Sequence, residues 1–314
     1  MNVFIDGQFG TTGLKLESRL RERSDITLLR LDFEVREEFE AKKPLLEKAD
    51  VVFLCLPDDA ARESVAATPE STLILDASTA HRTAKGWAYG FPELSTAHRD
   101  AIENSKRIAV PGCHAAGFIS AIYPLVSSGV LPASSRLNCT SLTGYSGGGI
   151  TLIDMHEKNR VPKDRFHSPR PYALGLTHKH LPEMKALTGL DSPPIFYPVV
   201  GDIFQGMLVS VPLWNSQFSK KLTAKNIHEI LTAHYENSRF VKVMPHDLEA
   251  STENGFLDAT ACNNTNRLEI FVFGHDEQII LTARLDNLGK GASGAAIQCM
   301  NIACGLDEGM GLHG

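Results

Sequence analysis

Cys113 is the residue of this chain best placed to act as a nucleophile. It follows Pro111-Gly112, a pair that breaks regular structure, and precedes the apolar, helix-capable segment 117–125. A thiol at the start of a helix meets free backbone N–H groups and the positive end of the helix dipole, and both favour the reactive thiolate. A free cysteine can also be only a small buried hydrophobic side chain, and local context leaves both roles open.

The other cysteines fit that second role better. Their flanks are apolar, polar or small-residue runs without preceding turn residues, in the set Cys55, Cys139, Cys262, Cys299 and Cys304. The six are too scattered for a disulfide framework, and no C-x-x-C pair suggests zinc.

Two histidines are the best acid–base candidates for such a thiol. His178 and His180 stand two residues apart, so an extended backbone would point both rings to one side. Histidine is the usual proton donor and acceptor near neutral pH, which favours a Cys-His nucleophilic site. The alternatives are a surface pair or half of a metal site. A metal needs further ligands and Glu183 is the only nearby candidate, so we predict no metal.

A glycine turn near the N-terminus could hold a dinucleotide. Gly7, Gly10 and Gly13 lie between a predicted strand and a predicted helix, the context that the G-x-G-x-x-G fingerprint needs, although their spacing differs from it. Glycines let the backbone approach a pyrophosphate, which the helix N-terminus and the hydroxyls of Thr11 and Thr12 can bind. A tight turn without a ligand is the alternative.

The charges after the second predicted strand bear on which nicotinamide cofactor would bind. An acidic residue there binds the ribose 2′-OH, whereas an arginine accepts a 2′-phosphate. Asp32 comes first, with Arg30 and Arg36 close by. These residues by themselves leave both cofactors open.

Another glycine-rich turn could bind an anion. Tyr145, Ser146, Gly147 and Gly148 follow an apparent strand, and their N–H groups could form a nest for a phosphate or an oxyanion. A flexible turn is the alternative.

The segment 76–82 closes a further predicted strand near the same sheet edge. It supplies hydroxyls, among them that of Ser78, and the cation of Arg82. A capped turn with a solvated arginine is the alternative.

The elements that must position these residues alternate in the first half of the chain. Apolar strands separated by helices are predicted at 2–6, 26–31, 51–56, 72–76 and 107–110. Such strands imply a parallel sheet covered on both faces, and ligands bind at the carboxyl ends of its strands. Cys113 lies just beyond one of those ends.

The second half has a different texture. Longer, partly alternating strands are predicted at 136–142, 199–200, 207–213, 240–244, 268–274 and 279–284. They indicate an α+β domain with a mixed or antiparallel sheet. The fold class is therefore α/β, a Rossmann-type parallel sheet domain over 1–112 and 290–314 plus a second domain over 113–289.

Composition agrees with an ordinary globular protein. The chain has 314 residues, enough for about two domains, with 43% hydrophobic and 22% charged residues. A net charge of −6 without a basic block argues against nucleic acid as a partner. The chain enters a strand pattern at once, with no secretory signal and no apolar run long enough for a bilayer. We expect a reducing, cytoplasmic location.

Taken together, the motifs closely resemble the short form of the N-acetyl-gamma-glutamyl-phosphate reductase family. The similarity runs from Met1 to the C-terminal helix. It is carried by GTTG at 10–13, CLPDD at 55–59, DASTAHR at 76–82, PGCH at 111–114, TGYSGGG at 143–149, HKHLPE at 178–183 and NLGKGASG at 287–294.

That resemblance implies an enzyme of arginine biosynthesis. It implies NADPH-dependent reduction of N-acetyl-L-glutamyl 5-phosphate to N-acetyl-L-glutamate 5-semialdehyde with release of phosphate, and kinship with aspartate-semialdehyde and glyceraldehyde-phosphate dehydrogenases. It also implies that Cys113 attacks the acyl phosphate to give a thioester, with His180 as acid–base group and His178 assisting.

The resemblance also guides the assignment of binding residues. Cofactor contacts are expected from Gly7, Gly10, Thr11, Thr12, Gly13, Arg36, Ser78, Asn287, Lys290 and Gly291. Substrate contacts are expected from Tyr145, Ser146, Gly147 and Gly148. The role of His114 stays open, as does the choice among Arg160, Arg165 and Arg170 for the substrate carboxylate. We expect a homo-oligomer, a dimer or a tetramer.

Three other functions are alternatives. An aspartate-semialdehyde dehydrogenase would ordinarily show a glutamine after the cysteine and an arginine-bearing helix, which the sequence lacks. A non-catalytic dinucleotide-binding regulatory protein would have no use for Cys113 together with the histidine pair. A Cys-His hydrolase would leave the glycine turn at 7–13 unexplained.

Overall fold

The structure, a computed structural model, describes residues 1–157 and 167–314. The chain forms two compact units, one of Met1–Gly112 with Ala292–His313 and the other of Cys113–Gly291 with Gly314. The chain re-enters the first unit at Ala292 rather than at the predicted residue 290. The reason is that Gly291 packs on Cys113: a Cβ at Gly291 would lie 2.7 Å from the Cβ of Cys113.

The first unit is built on a parallel sheet. Its strands are β1 (Asn2–Asp6), β2 (Thr27–Leu29), β3 (Val51–Leu54), β4 (Leu73–Asp76), β5 (Ala88–Tyr89) and β6 (Arg107–Ala109). They lie in the order β2-β1-β3-β4-β6-β5, and every neighbouring pair is parallel. The predicted Rossmann-type parallel sheet is confirmed.

Helices cover both faces of this sheet because its strands are apolar on both. The helices are α1 (Thr11–Leu20), α2 (Phe39–Lys48), α3 (Asp58–Ala67), α4 (Thr96–Glu103) and a C-terminal helix, Gly294–Ala303. Side chains alternate along β1, so Val3 and Ile5 join a core cluster with Ile297 of the C-terminal helix, while Phe4 joins a second cluster with Leu46 of α2.

A buried ion pair ties the end of β1 to two helices. Asp6 is 1% exposed and receives the Lys42 ammonium of α2 at 2.9 Å and the Ser64 hydroxyl of α3 at 2.6 Å. A buried carboxylate needs partners of this kind. These contacts therefore hold in place the end of β1, where the glycine turn begins.

The second unit is built on a mixed sheet. Its strands are β7 (Asn138–Gly144), β8 (Arg170–Pro171), β9 (Ile195–Gly201), β10 (Met207–Trp214), β11 (Val241–Val243), β12 (Leu268–His275) and β13 (Gln278–Leu285). They lie in the order β11-β12-β13-β10-β7-β9-β8. The pairs β11–β12 and β7–β9 are parallel and the others antiparallel, which confirms the predicted α+β domain with a mixed sheet.

One face of the second sheet is buried under helices. The helices of this unit are α5 (Cys113–Ser127), α6 (Gly149–Glu157), α7 (Leu181–Thr188), α8 (Ala224–Tyr235) and α9 (Leu248–Ser251). Gly117 lets α5 approach β10 closely, because a Cβ there would lie 2.5 Å from Val209. Tyr235 of α8 donates a hydrogen bond to the Ser120 carbonyl of α5 at 2.8 Å. The helix that begins at Cys113 is thus fixed on both sides.

The opposite face of the second sheet carries exposed apolar side chains. Ile195 and Tyr197 of β9, Trp214 of β10 and Ile280 of β13 are between 44% and 58% exposed. Side chains on one strand alternate between faces, so these residues stand opposite the buried set that faces α5. Across the described ranges, no helix is both long and apolar enough to cross a bilayer.

Candidate active site

Cys113 is the first residue of α5, where the Pro-Gly turn predicts it. Its side chain is half-buried. The backbone N–H of Val110, just before the turn, donates to the Asp76 carbonyl at 2.7 Å and continues the pairing of β6 with β4. The thiol therefore has a helix N-terminus beneath it, which stabilises a thiolate.

His114 is buried directly behind the thiol. It is 3% exposed, and its Nδ1 lies 2.7 Å from the Ser141 hydroxyl and its Nε2 2.8 Å from the Tyr172 hydroxyl. Burial, together with smaller electrostatic effects of His178 and Lys179, lowers the pKa of His114 to about 3. His114 is consequently a neutral imidazole at physiological pH.

The two predicted acid–base histidines lie beside His114. The ring centroids of His178 and His180 are 4.7 Å apart, and they lie 5.4 and 5.5 Å from that of His114. The backbone N–H of His180 donates to Nδ1 of His178 at 3.1 Å.

A turn, rather than an extended backbone, brings these rings together. His180 has helical angles, φ −87° and ψ −9°, and immediately precedes α7. The expected extended geometry is wrong, because the chain is already turning into a helix whose second residue is Pro182. The two rings nevertheless lie close together, as expected.

Tyr172 is a member of this cluster that the sequence did not suggest. Burial raises the pKa of its phenol, and a negative charge on Cys113 raises it further. Tyr172 is therefore a neutral phenol close enough to Cys113 to respond to its charge. Tyr172 and Ser141 lie 58 and 27 residues from His114 in sequence, so no local pattern could have joined them.

Two of the four N–H groups of the predicted anion nest at residues 145–148 already have acceptors within the protein, while the nest itself stays a prediction. The segment Tyr145–Gly148 is a turn of 3₁₀ helix. The N–H of Tyr145 donates to the Ile203 carbonyl at 2.9 Å and that of Ser146 to the Phe204 carbonyl at 3.0 Å. Because neighbouring carbonyls already accept these donors, they do not point at an anion.

The hydroxyl of Ser146 is instead tied to a distant amide. Asn287 donates from Nδ2 to the Ser146 Oγ at 3.0 Å and accepts at Oδ1 from the N–H of Gly206 at 2.9 Å. Lys290 is 2% exposed, with its ammonium 6.0 Å from the centroid of the Phe240 ring. That burial does not favour the predicted direct contact of Lys290 with a cofactor.

The glycine turn of the first unit is too tight for side chains at Gly7 and Gly13. Gly7 has φ +88° and a Cβ there would lie 2.4 Å from the Cys55 carbonyl oxygen, while a Cβ at Gly13 would lie 2.3 Å from the Gly7 carbonyl oxygen. No side chain caps the N-terminus of α1, whose N-cap is Gly10. The Thr11 hydroxyl oxygen is buried without a hydrogen-bond partner in the parts of the chain that the structure describes. A phosphate at this N-terminus would supply one.

Both cations after β2 have partners within the protein. The guanidinium of Arg36 lies 3.9 Å from the centroid of the Phe33 ring, donates to the Phe33 carbonyl at 2.9 Å and lies 3.3 Å from the Glu37 carboxylate, with 37% of the side chain exposed. Arg30 forms an ion pair with Glu17 at 3.2 Å.

The segment after β4 is a closed polar network. Asp76 is fully buried and accepts from the N–H and the hydroxyl of Ser78 at 2.8 and 2.7 Å, and it binds Nδ1 of His81 at 2.6 Å. Arg82 donates from Nε to the Val110 carbonyl and from Nη2 to that of Ala77, both at 2.9 Å. The alternative of a solvated arginine is therefore wrong.

Of the three arginines considered for the substrate carboxylate, Arg160 and Arg165 lie outside the described residues. Arg170 is the first residue of β8, two residues before Tyr172. Its Nη2 lies 3.3 Å from Nε2 of His156. Within the described ranges, no group of three or more His, Cys, Asp or Glu side chains is arranged to hold a metal ion.

Known proteins resemble this chain in both units. Residues 2–105 match the family described as the NAD binding domain of semialdehyde dehydrogenases, and residues 113–287 match its dimerisation domain. Among solved structures, aspartate semialdehyde dehydrogenase II of Vibrio cholerae, complexed with ASA, has a TM-score of 0.70 at 16% identity, covering 96% of this chain and 98% of that one. The aspartate semialdehyde dehydrogenase of Francisella tularensis has a TM-score of 0.71 at 16% identity, covering 96% of this chain and 99% of that one. The fold is that of a semialdehyde dehydrogenase with a nicotinamide-dinucleotide-binding domain.

Two curated relatives show to which family of semialdehyde-dehydrogenase-like proteins the chain belongs. The N-acetyl-gamma-glutamyl-phosphate reductase 2 of a Nostoc species is 45% identical over 99% of this chain and 98% of its own. The N-acetyl-gamma-glutamyl-phosphate reductase of Mesorhizobium japonicum is 42% identical over 97% and 99%. The chain belongs to the N-acetyl-gamma-glutamyl-phosphate reductase family.

Proposed function

We propose that this protein reduces N-acetyl-L-glutamyl 5-phosphate to N-acetyl-L-glutamate 5-semialdehyde with NADPH, releasing phosphate in arginine biosynthesis. The observation that carries the proposal is that Cys113 stands at a helix N-terminus, next in sequence to His114, whose ring lies 5.4 and 5.5 Å from those of His178 and His180. The relatives that match the chain over almost its full length bear the reductase name. None of the cysteines, all of which lie in the described ranges, forms a disulfide, which suits the reducing cytoplasm where the pathway would run.

Cys113 opens the reaction as a thiolate, with His180 protonated. The sulfur attacks the carbonyl carbon of the acyl phosphate, and the carbon–oxygen bond to phosphate breaks. His180 gives its proton to the departing phosphate oxygen, so that hydrogen phosphate leaves and a thioester remains on Cys113. Two easier steps replace one difficult one.

The hydride step restores the thiolate. NADPH supplies a hydride to the carbonyl carbon of the thioester when it is bound. The carbon–sulfur bond then breaks with the sulfur of Cys113 as the leaving group. The semialdehyde is released, and Cys113 is again a thiolate. His180 takes one proton from solvent, which balances the proton that the overall reduction consumes.

The choice of His180 as acid–base group follows from the hydrogen bonds of its neighbours. His178 accepts at Nδ1, so its ring proton is on Nε2 and it acts as a donor to the substrate. His114 stays neutral because it is buried. His180 is then the imidazole left to move the proton.

The first unit would hold the dinucleotide at its glycine turn. The N–H groups and hydroxyls of Thr11 and Thr12 would bind the pyrophosphate, as the orphaned Thr11 hydroxyl supports. Arg36 would bind the 2′-phosphate and select NADPH over NADH. The contacts of Ser78, Asn287 and Gly291 with the cofactor remain predictions.

The proposal includes an oligomer formed from copies of this chain. The exposed apolar face of the second sheet, with Tyr197 and Trp214, lies within the match to the family's dimerisation domain. Burying such a face is favourable. Tyr197→Glu should lower the oligomeric mass in light scattering; an unchanged mass would place the interface elsewhere.

The reverse reaction gives the direct test. The purified protein, N-acetylglutamate semialdehyde, phosphate and NADP should produce NADPH absorbance, and NAD should give a much slower rate. Cys113→Ser should abolish the signal, whereas Cys304→Ser, a half-buried cysteine of the other unit, should not. No absorbance with this substrate, together with activity on aspartate semialdehyde, would overturn the assignment.

A further inference from the structure

Arg170 and His156 form a contact at one edge of the second sheet that the reaction above does not use. Nη2 of Arg170 lies 3.3 Å from Nε2 of His156, and Nδ1 of His156 lies 2.9 Å from the Leu152 carbonyl oxygen. His156 is 1% exposed, and Arg170 is half-buried. Both belong to the second unit.

The two hydrogen bonds of His156 fix the position of its proton. A carbonyl oxygen only accepts, so the ring proton is on Nδ1. A guanidinium only donates, so Nε2 accepts from Arg170 with its lone pair. The ring also stacks on that of Tyr145, with centroids 4.4 Å apart and an angle of 10° between the planes. His156 is therefore a neutral acceptor that holds one end of the Arg170 guanidinium in place.

Strand register places Arg170 on the sheet face that carries α5. Arg170 pairs with Val200 of β9, and Val200 pairs with Thr143 of β7. Directly opposite residues of neighbouring strands point to the same face, and so do residues two apart on one strand. Thr143 is two residues from Ser141, whose hydroxyl lies 2.7 Å from Nδ1 of His114. Arg170 therefore leaves the sheet on the side where the helix of the nucleophile packs.

The same register places Arg170 at the end of the sheet where Cys113 lies. One row of paired residues crosses five strands, in the order Leu285, Met207, Thr143, Val200 and Arg170. Gly291, in the turn that follows β13 at this end, packs on Cys113. Tyr172, two residues after Arg170, reaches Nε2 of His114 at 2.8 Å, so a side chain from this edge segment spans the distance to α5.

We propose that Arg170 binds the α-carboxylate of the N-acetylglutamyl substrate and that His156 is a positioning residue for it. The inference rests on the proposed reduction of N-acetyl-L-glutamyl 5-phosphate. A guanidinium pairs with a carboxylate through two parallel N–H···O bonds, which add specificity as well as binding energy. His156, being neutral, holds the guanidinium without cancelling the charge that attracts the carboxylate.

The length of the substrate explains why the arginine has to be held. In an extended glutamyl chain the α-carboxylate carbon lies about 5 Å from the acyl carbon that Cys113 attacks, and in an aspartyl chain about 4 Å. An arginine side chain free to rotate could follow either carboxylate, at a cost in entropy. An arginine anchored by His156 favours one chain length.

Steady-state kinetics of the reverse assay test the contact from the side of the protein. Arg170→Gln should raise KM for N-acetylglutamate semialdehyde by about 10- to 100-fold, the size of a lost charge-assisted pair, with KM for NADP unchanged. His156→Phe keeps a ring against Tyr145 and should raise that KM by about fivefold at constant kcat, whereas His156→Gln restores an acceptor and should recover most of the loss. Arg136→Gln, an exposed arginine before the other end of β7, is the matched control and should change neither constant.

A change in the ligand tests the same contact without catalysis. N-acetyl-L-glutamate and its analogue with an α-carboxamide compete with iodoacetamide for Cys113 of the full-length protein, followed by mass spectrometry of the labelled peptide. The carboxylate should protect the wild type at about tenfold lower concentration than the carboxamide, and in Arg170→Gln the two compounds should protect equally.

The outcomes separate this inference from the reductase assignment. Equal protection of the wild type by both compounds, or an unchanged KM in Arg170→Gln, would overturn the inference and leave the assignment standing. A tenfold difference that persists in Arg170→Gln would also overturn it, because the carboxylate would then have another partner. No protection by either compound, together with no NADPH formation in the reverse assay, would overturn the assignment and this inference with it.

Discussion

Replacement of His114 by glutamine should make the protein less sensitive to acid. Glutamine is uncharged at every pH and keeps an amide donor and acceptor toward Ser141 and Tyr172. The native pKa of His114 is lowered to about 3, whereas an exposed histidine titrates near 6.5. Between these values the unfolded chain binds a proton at this position that the folded chain does not.

The sign and size of the effect follow from that difference. The unfolded state takes up more protons, so stability rises with pH across the window from about 3 to 6.5 and falls as the solution is acidified. From pH 7.5 to pH 5, His114 alone should remove about 2 kcal/mol from the free energy of unfolding. His114→Gln should lack this contribution, and its loss of stability over that range should be smaller by the same amount.

Urea unfolding followed by circular dichroism at several pH values measures the difference between the two slopes. His313→Gln is the matched control, because it removes an exposed histidine and should leave the slope as it is. Parallel curves for the wild type and His114→Gln would refute the reasoning, since they would mean that His114 is charged in the folded protein or reached by water.

Three further predictions concern the cofactor, the nucleophile and stability. Arg36→Ala should raise KM for NADPH about tenfold or more in steady-state assays while KM for NADH changes little, because only NADPH carries the 2′-phosphate. Gly291→Ala should lower kcat by about 100-fold, since the new Cβ would displace the Cys113 backbone, and unaltered kcat would argue against a tight fit there. Lys42→Met should lower the free energy of unfolding by about 3–5 kcal/mol because it leaves the Asp6 carboxylate buried without its partner, which urea titration would detect.

The parallel sheet was predictable because its strands are apolar on both faces. β3, for example, is apolar and buried at every residue. The strand bounds differ by one or two residues where pairing, rather than composition, ends the strand. β5 has two residues and β8 has two, too few for any periodic signal.

The position of Cys113 was predictable and its surroundings were not. Pro111 and Gly112 are local signals, and they place the thiol at a helix start. Nor does the sequence show that the carbonyls of Ile203 and Phe204 accept the N–H groups of Tyr145 and Ser146, two of the four donors of the predicted anion nest. Sequence patterns indicate the backbone conformation that a segment prefers. Which carbonyl accepts a given N–H depends on residues far away in the sequence.

The three clustered histidines illustrate how environment assigns roles to identical side chains. Their centroids lie within 5.5 Å of one another, and imidazolium ions at such distances repel, so the three are not all positively charged at once. Burial keeps His114 neutral, and the His180 backbone N–H fixes the proton of His178 on Nε2. In the proposed mechanism this leaves His180 to carry the positive charge beside the thiolate. A protonated His114 would raise the cost of that charge, so the proposal gives the buried, uncharged state of His114 a catalytic consequence although His114 transfers no proton.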